Sequence, residues 1–190
     1  MTEVPDMIIA GGTLLSSAPA QPYLEQAWID VTKGRITAIS DSAPGYISPE
    51  TTVVDATGRI ITPGFVNVHT HAILSMVRGV AEDMGFAPAY TIGVPHGHDP
   101  TPEEAYAMAQ LGGLEALCSG STIINDSFSH QDVALTAMAE SGLRAWGCGR
   151  IHDVDFSRVH LSEWTFDTAI GERTLCEASD LIAQFHDPVG

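Results

Sequence analysis

From residue 63 onward, apolar strand-like runs alternate with helical patterns three times, and this alternation restricts the possible folds more than any other feature. Phe65-Val66-Asn67-Val68 precedes a helix opened by Pro102, 121–126 reads as a buried strand before a helix over 133–141, and 143–148 precedes a helix over 166–185. Strands joined through helices cannot pair as tight hairpins; they lie parallel, with the helices covering the sheet. The expected class is therefore α/β, either doubly wound or closed as a barrel. No Gly-rich phosphate loop follows any of these strands, which removes the main support for nucleotide binding of the Rossmann or P-loop type.

The helix after Thr101 carries its own start signals: a hydroxyl N-cap, Pro102 in the first turn, and Glu103 and Glu104 where the helix dipole favours acids. Ala105, Met108, Ala109, Leu111, Gly112, Leu114 and Leu117 follow as an apolar stripe. The last helix offers Leu175, Ala178, Leu181, Ile182 and Phe185 at helical spacing.

Residues 7–62 have a different grammar, with short β-type runs at Met7-Ile8-Ile9-Ala10, 27–31, 36–39, Val53-Val54-Asp55-Ala56 and Ile60-Ile61, separated by turn signals such as Lys33-Gly34 and Thr57-Gly58-Arg59. The expectation is a small antiparallel unit over 1–62 and a second domain over 63–190.

His69 and His71 stand two residues apart at the end of the apolar run that starts the second domain. The period of two puts both imidazoles on one face of a strand, and strand C-termini are where parallel α/β folds place their chemistry. Two imidazoles so placed can hold one divalent cation. The pattern alone is weak, since His96-Gly97-His98 repeats it in a Gly- and Pro-rich loop, which preorganises ligands poorly.

The context Pro63-Gly64-Phe65-Val66-Asn67-Val68-His69-Thr70-His71 after a small β-unit resembles the amidohydrolase superfamily, particularly its triazine chlorohydrolase and aminohydrolase branch and the related cytosine and guanine deaminases. Arg78-Gly79, Glu82-Asp83, Leu114-Glu115-Ala116-Leu117, Ser119-Gly120-Ser121-Thr122 and Asp126 extend the likeness over almost the whole chain.

The resemblance implies the first three βα units of a (β/α)8 TIM barrel, preceded by strands of a composite β-sandwich. It also implies His69 and His71 as the strand-one ligands of one divalent metal, zinc first and iron as the alternative. Two further histidines, an acidic residue and the general base are expected beyond residue 190. A whole barrel takes about 250 residues, so the rest is expected as a continuation or a second chain, without which 63–190 is not expected to be stable alone. The implied reaction is hydrolysis of a C–N or C–Cl bond of a heterocyclic small molecule by metal-activated water, as in a deaminase, aminohydrolase or chlorohydrolase. A cyclic amidase of another branch and a non-catalytic interaction subunit are the competing readings.

Candidate pocket residues are Met84, Phe86, Tyr90, His96, His98 and Trp146, together with Asp126, His130, His152, Asp153 and Asp155 near the ends of the second and third strands. Asp126 suits orienting a ligand better than touching the metal. His160 and His186 have no context that raises them above surface residues. The three cysteines, Cys118, Cys148 and Cys176, lack any CxxC pairing and are expected to be reduced and mostly buried. With 24 acidic against 8 basic residues and a net charge of -16, nucleic-acid backbones and anionic membranes are repelled. No run approaches the roughly eighteen apolar residues of a membrane span and the N-terminus lacks signal-peptide features. The expectation is a soluble, cytoplasmic protein that forms a homodimer.

Overall fold

The computed structural model describes residues 4–20, 22–79, 100–161 and 163–186. It separates into two compact units, Met1–Pro63 and Gly64–Gly190.

In the first unit, β1 (Met7–Leu15), β2 (Tyr23–Thr32) and β3 (Arg35–Ser40) run antiparallel in the order β3-β2-β1. Lys33 and Gly34 take φ of 51° and 72°, the paired left-handed conformation that a two-residue hairpin turn needs. The expectation of a purely antiparallel unit fails at the next two strands. β4 (Thr52–Asp55) and β5 (Ile60–Ile61) both pair parallel with β1, so Thr57-Gly58-Arg59 joins two strands laid end to end along one neighbour. Between the two, β1 carries a bulge, where Gly11 has φ +77° and the register with β2 shifts. On either side of it Ala56 N–H donates to the Ala10 carbonyl and Thr13 N–H to that of Arg59, at 2.8 and 2.9 Å. Ile8, Ala10 and Leu14 point to one face of β1, and Leu14 packs with Ala27 and Ile29.

The second unit is a parallel sheet in the order β6 (Phe65–Thr70), β7 (Ser121–Asp126), β8 (Arg144–Gly147). A 3-10 turn (Ala72–Val77) follows β6; α1 (Pro102–Cys118), α2 (Gln131–Glu140) and α3 (Thr168–Phe185) alternate with the strands. Val154–Asp155 and Thr165–Phe166 form a two-residue antiparallel pair before α3, so Phe166 is extended rather than helical. Thr101 and Glu104 close a full capping box on α1.

The core of this unit lies between the sheet and α1 and α2, and includes Ala109, Ile124, Ala134, Met138 and Leu143. The stripe expected on α1 is too broad. Ala105, Ala109 and Gly113 are buried, whereas Leu111 and Leu114 are exposed. At about 3.6 residues per turn they point away from that face. On α3, Ala178 and Leu181 are buried while Leu175 and Ile182 are not. The three cysteines are free thiols but exposed, correcting the expectation of burial: Cys118 ends α1, Cys148 follows β8, and Cys176 lies outward on α3.

α1 approaches the turn after β6 closely at Gly112, where a Cβ would lie 2.6 Å from the Ala72 carbonyl oxygen and 2.9 Å from its Cα. In an open helix, Gly→Ala gains up to about 1 kcal/mol. Here the obstruction is backbone, so Gly112→Ala is expected to destabilise by about 1–3 kcal/mol, read as a lower denaturation midpoint at unchanged slope. A gain in stability would show that the contact yields freely.

Among the described residues no helix is long and apolar enough to cross a membrane.

Candidate metal centre

β6 is extended up to Thr70, and the chain turns at His71, which precedes the 3-10 turn. The two histidines therefore stand at the strand's C-terminal end on one face. Their Nε2 atoms are 3.2 Å apart, with ring centroids at 4.8 Å and planes at 73°. Two zinc–nitrogen bonds of about 2.0–2.1 Å at a tetrahedral angle hold their nitrogens roughly 3.3 Å apart. The pair is thus spaced for one shared cation. Nδ1 of His71 hydrogen-bonds the Ser127 carbonyl. A carbonyl only accepts, so Nδ1 carries the proton and, in the neutral ring, the Nε2 lone pair is left for a ligand. The Asn67 side-chain oxygen accepts from His69 N–H at 3.1 Å, fixing the backbone ahead of the first imidazole.

Two residues at the end of β7 hold three at the end of β6. Ser127 N–H donates to the Thr70 carbonyl at 3.2 Å, the Ser127 carbonyl accepts from His71 Nδ1, and Asp126 Oδ1 accepts from Ala72 N–H at 2.7 Å. Asp126 Oδ2 accepts from Gln131 Nε2 at 2.6 Å, and its side chain is fully buried. Asp126 is accordingly a support under the histidine pair, and it does not line the neighbouring cavity.

That cavity, of about 650 Å³, opens beside the ends of β7 and β8 and is lined by residues including Phe128, His130, Arg150, His152 and Phe156. The Phe128 ring lies 5.3 Å from that of His71, and the Arg150 guanidinium lies 5.1 Å from the Phe128 centroid and 5.4 Å from that of Phe156. His152 meets Phe156 edge-on at 4.7 Å. His130 precedes α2 in the left-handed region, φ +53°, a conformation that costs energy in a non-glycine residue. Asp155 also lines the cavity, but its side chain accepts from Ser157 N–H. The Asp153 carbonyl accepts from Asp167 N–H. Trp146 is exposed on β8. Met84, Phe86, Tyr90, His96 and His98 lie outside the described residues, as does the side chain of His160; His186 is exposed at the end of α3.

Burial, and then the nearby Arg150 charge, hold the His152 pKa below its ordinary value, against the hydrogen bond to the Val154 carbonyl. A depressed histidine favours the neutral folded form. Its contribution to stability is therefore present above the unfolded value of about 6.5 and is lost as pH falls towards the folded one. In an NMR titration His152 is expected to protonate at lower pH than a free histidine; protonation at or above the free value would contradict this environment.

Ser127, Phe128, Gln131 and Arg150 escaped the reading of the sequence. Arg150 had a usable signal, since it follows the C-terminal end of β8, where parallel α/β sheets place their sites; a backbone carbonyl such as that of Ser127 has none. Among the described residues no group of three or more ligating side chains comes together.

Residues 60–184 match the model of the amidohydrolase family. The chain is 36% identical over 116 residues to a 5-methylthioadenosine/S-adenosylhomocysteine deaminase of Thermococcus kodakarensis, covering 59% of this chain and 27% of that protein. It is 32% identical over 161 residues to the protein of that name from Desulforudis audaxviator, covering 83% and 34%. A 5'-deoxyadenosine deaminase of Methanosarcina mazei is 33% identical over 143 residues, covering 74% and 32%. The chain thus spans about a third or less of the length of these relatives. In fold it is similar to a zinc-complexed atrazine chlorohydrolase of Arthrobacter aurescens, with TM-score 0.75, 20% identity and coverage of 96% of this chain and 44% of that one. A zinc-bound adenosine deaminase of Xanthomonas campestris gives TM-score 0.73, 24% identity and coverage of 98% and 42%.

Proposed function

Because this chain belongs to the amidohydrolase family, we propose that His69 and His71 are the first metal ligands of a hydrolase that removes an amino group from an adenosine-type nucleoside. The observation that carries this reading is the convergence of the two Nε2 atoms at 3.2 Å, with the proton of His71 committed to a carbonyl on the far side of the ring. A divalent cation held there, zinc or alternatively iron, supplies the Lewis acidity that makes water nucleophilic near neutral pH. His69 and His71 bind and orient that cation through neutral imidazoles. Phe128, against the His71 ring, restricts water on the cavity side, where an apolar aromatic wall suits a planar heterocycle.

The three relatives described above, each more than 30% identical, are named as deaminases. This favours C–N cleavage and ammonia release over departure of chloride. The likeness to the chlorohydrolase supports the fold.

In this reading β6 to α3 are the first three strand–helix units of a (β/α)8 barrel, and 1–62 belong to a β-sandwich. Two imidazoles leave a catalytic zinc short of ligands. The remaining histidines, the acidic ligand and the general base then come from the other barrel strands, supplied as a continuation or a second chain. Support comes from the two outer strands of the sheet, where Val68 is 73% exposed and Trp146 69%. A soluble homodimer that binds neither nucleic acid nor membrane completes the proposal.

The test is ammonia release from 5'-deoxyadenosine, 5'-methylthioadenosine and S-adenosylhomocysteine by the zinc-loaded protein together with the remaining barrel strands, run beside chloride release from a chlorinated triazine. Ammonia release that disappears with a chelator supports the proposal; chloride release alone, or no turnover of any of them, overturns the deaminase assignment.

A further inference from the structure

Gln131 opens α2, is 6% exposed, and places its amide nitrogen 2.6 Å from Asp126 Oδ2. Its own carbonyl oxygen, Oε1, is buried and has no hydrogen-bond partner among the described residues. A buried amide with one orphaned end is a costly side chain, and an apolar residue of similar size would avoid that cost. What the amide accomplishes is therefore to be sought at its other end. There, Asp126 uses Oδ1 to hold Ala72 N–H, the backbone group next after His71. A carboxylate turning about its last torsion has broad freedom. A donor on Oδ2 removes it and keeps Oδ1 aimed at Ala72.

We propose that Gln131 is a positioning residue for the metal ligand His71, acting through the Asp126 carboxylate on the backbone of Ala72. The proposal rests on the reading of His69 and His71 as ligands. It adds a residue from a different helix, reached through two hydrogen bonds, that touches neither the metal nor the ring. The Ser127 carbonyl sets the tautomer of His71, and the Asp126–Gln131 pair sets where the backbone carrying that ring is held. Outer partners of this kind typically govern about 10–100-fold in metal affinity.

The experiment compares the intact protein with Gln131→Met, Asp126→Asn and the double variant Asp126→Asn/Gln131→Glu. Zinc affinity is read by chelator competition, and exchange of the Ala72 amide in metal-free protein by NMR. Gln131→Met is expected to speed Ala72 exchange and weaken zinc binding by about 10–100-fold in the folded protein. In the double variant the bond is rebuilt with its donor and acceptor exchanged: the amide now at position 126 donates to the carboxylate now at 131 while its oxygen still accepts from Ala72, and the total charge is kept. Zinc affinity above that of Gln131→Met and close to that of the parent is the expected result, and a merely space-filling Gln131 would not produce it.

Unchanged zinc affinity and unchanged Ala72 exchange in folded Gln131→Met would overturn the proposal. If that variant fails to fold, the double variant decides: a folded double variant whose zinc affinity stays about tenfold or more below that of the parent overturns it. A protein that binds no zinc but shows faster Ala72 exchange in Gln131→Met supports the relay onto the backbone and overturns the metal reading instead.

Discussion

Replacing His71 by alanine is expected to lower zinc affinity by more than about a hundredfold, since even residues that only support a ligand cost about 10–100-fold. His69→Ala should do the same, because each contributes one of two nitrogens spaced 3.2 Å apart for a common cation. Hydrolysis by the complete enzyme should fall with metal content. The bland alternative is that the two rings only hydrogen-bond each other at the end of β6. In that case the substitutions change stability slightly and metal content not at all. Metal analysis of the two variants beside the parent separates these outcomes, and unchanged zinc in both would sink the ligand assignment.

The second large effect is expected at Asp126. Asp126→Ala removes two hydrogen bonds to a fully buried carboxylate and strands Ala72 N–H and the Gln131 amide in the core. Hydrogen bonds to charged groups contribute about 1.5–3 kcal/mol each, and abandoned donors add a desolvation cost. A loss of about 3 kcal/mol or more is therefore expected in chemical denaturation. Asp126→Asn should lose less, because its carbonyl oxygen can still accept from Ala72. Equal losses in the two variants would mean that Asp126 matters only as volume, and that the end of β6 is held by other contacts.

These two residues also mark how far the sequence was legible. That His69 and His71 share one face at the end of β6 could be read because strand periodicity depends on residue spacing, which a sequence displays directly. The parallel sheet of the second unit was legible for the same reason: helices between strands leave little choice of direction. Direction was not legible in the first unit. Val53-Val54 and Ile60-Ile61 have the composition of strands in either orientation, and both become parallel neighbours of β1 through contacts far apart in the chain. The exposed Leu111 and Leu114 show a related limit, since helical spacing identifies apolar residues without fixing which side of the helix meets the sheet. Asp126 could be seen as a polar residue at a strand end, but not its partners. Ala72 and Gln131 lie 54 and 5 residues away along the chain, and hydrogen bonds between such positions follow from packing.

The way His71 is oriented also bears on how this protein tolerates change. The group that orients it is the main-chain carbonyl of Ser127, and every residue type offers the same oxygen at that place. Drift at position 127 leaves the proton of His71 where it is, so long as the β7 backbone keeps its path. A mutational survey would score the position as dispensable, although the atom it contributes governs the imidazole beside it. Here the information is stored in the course of the chain, out of reach of the codon that encodes it.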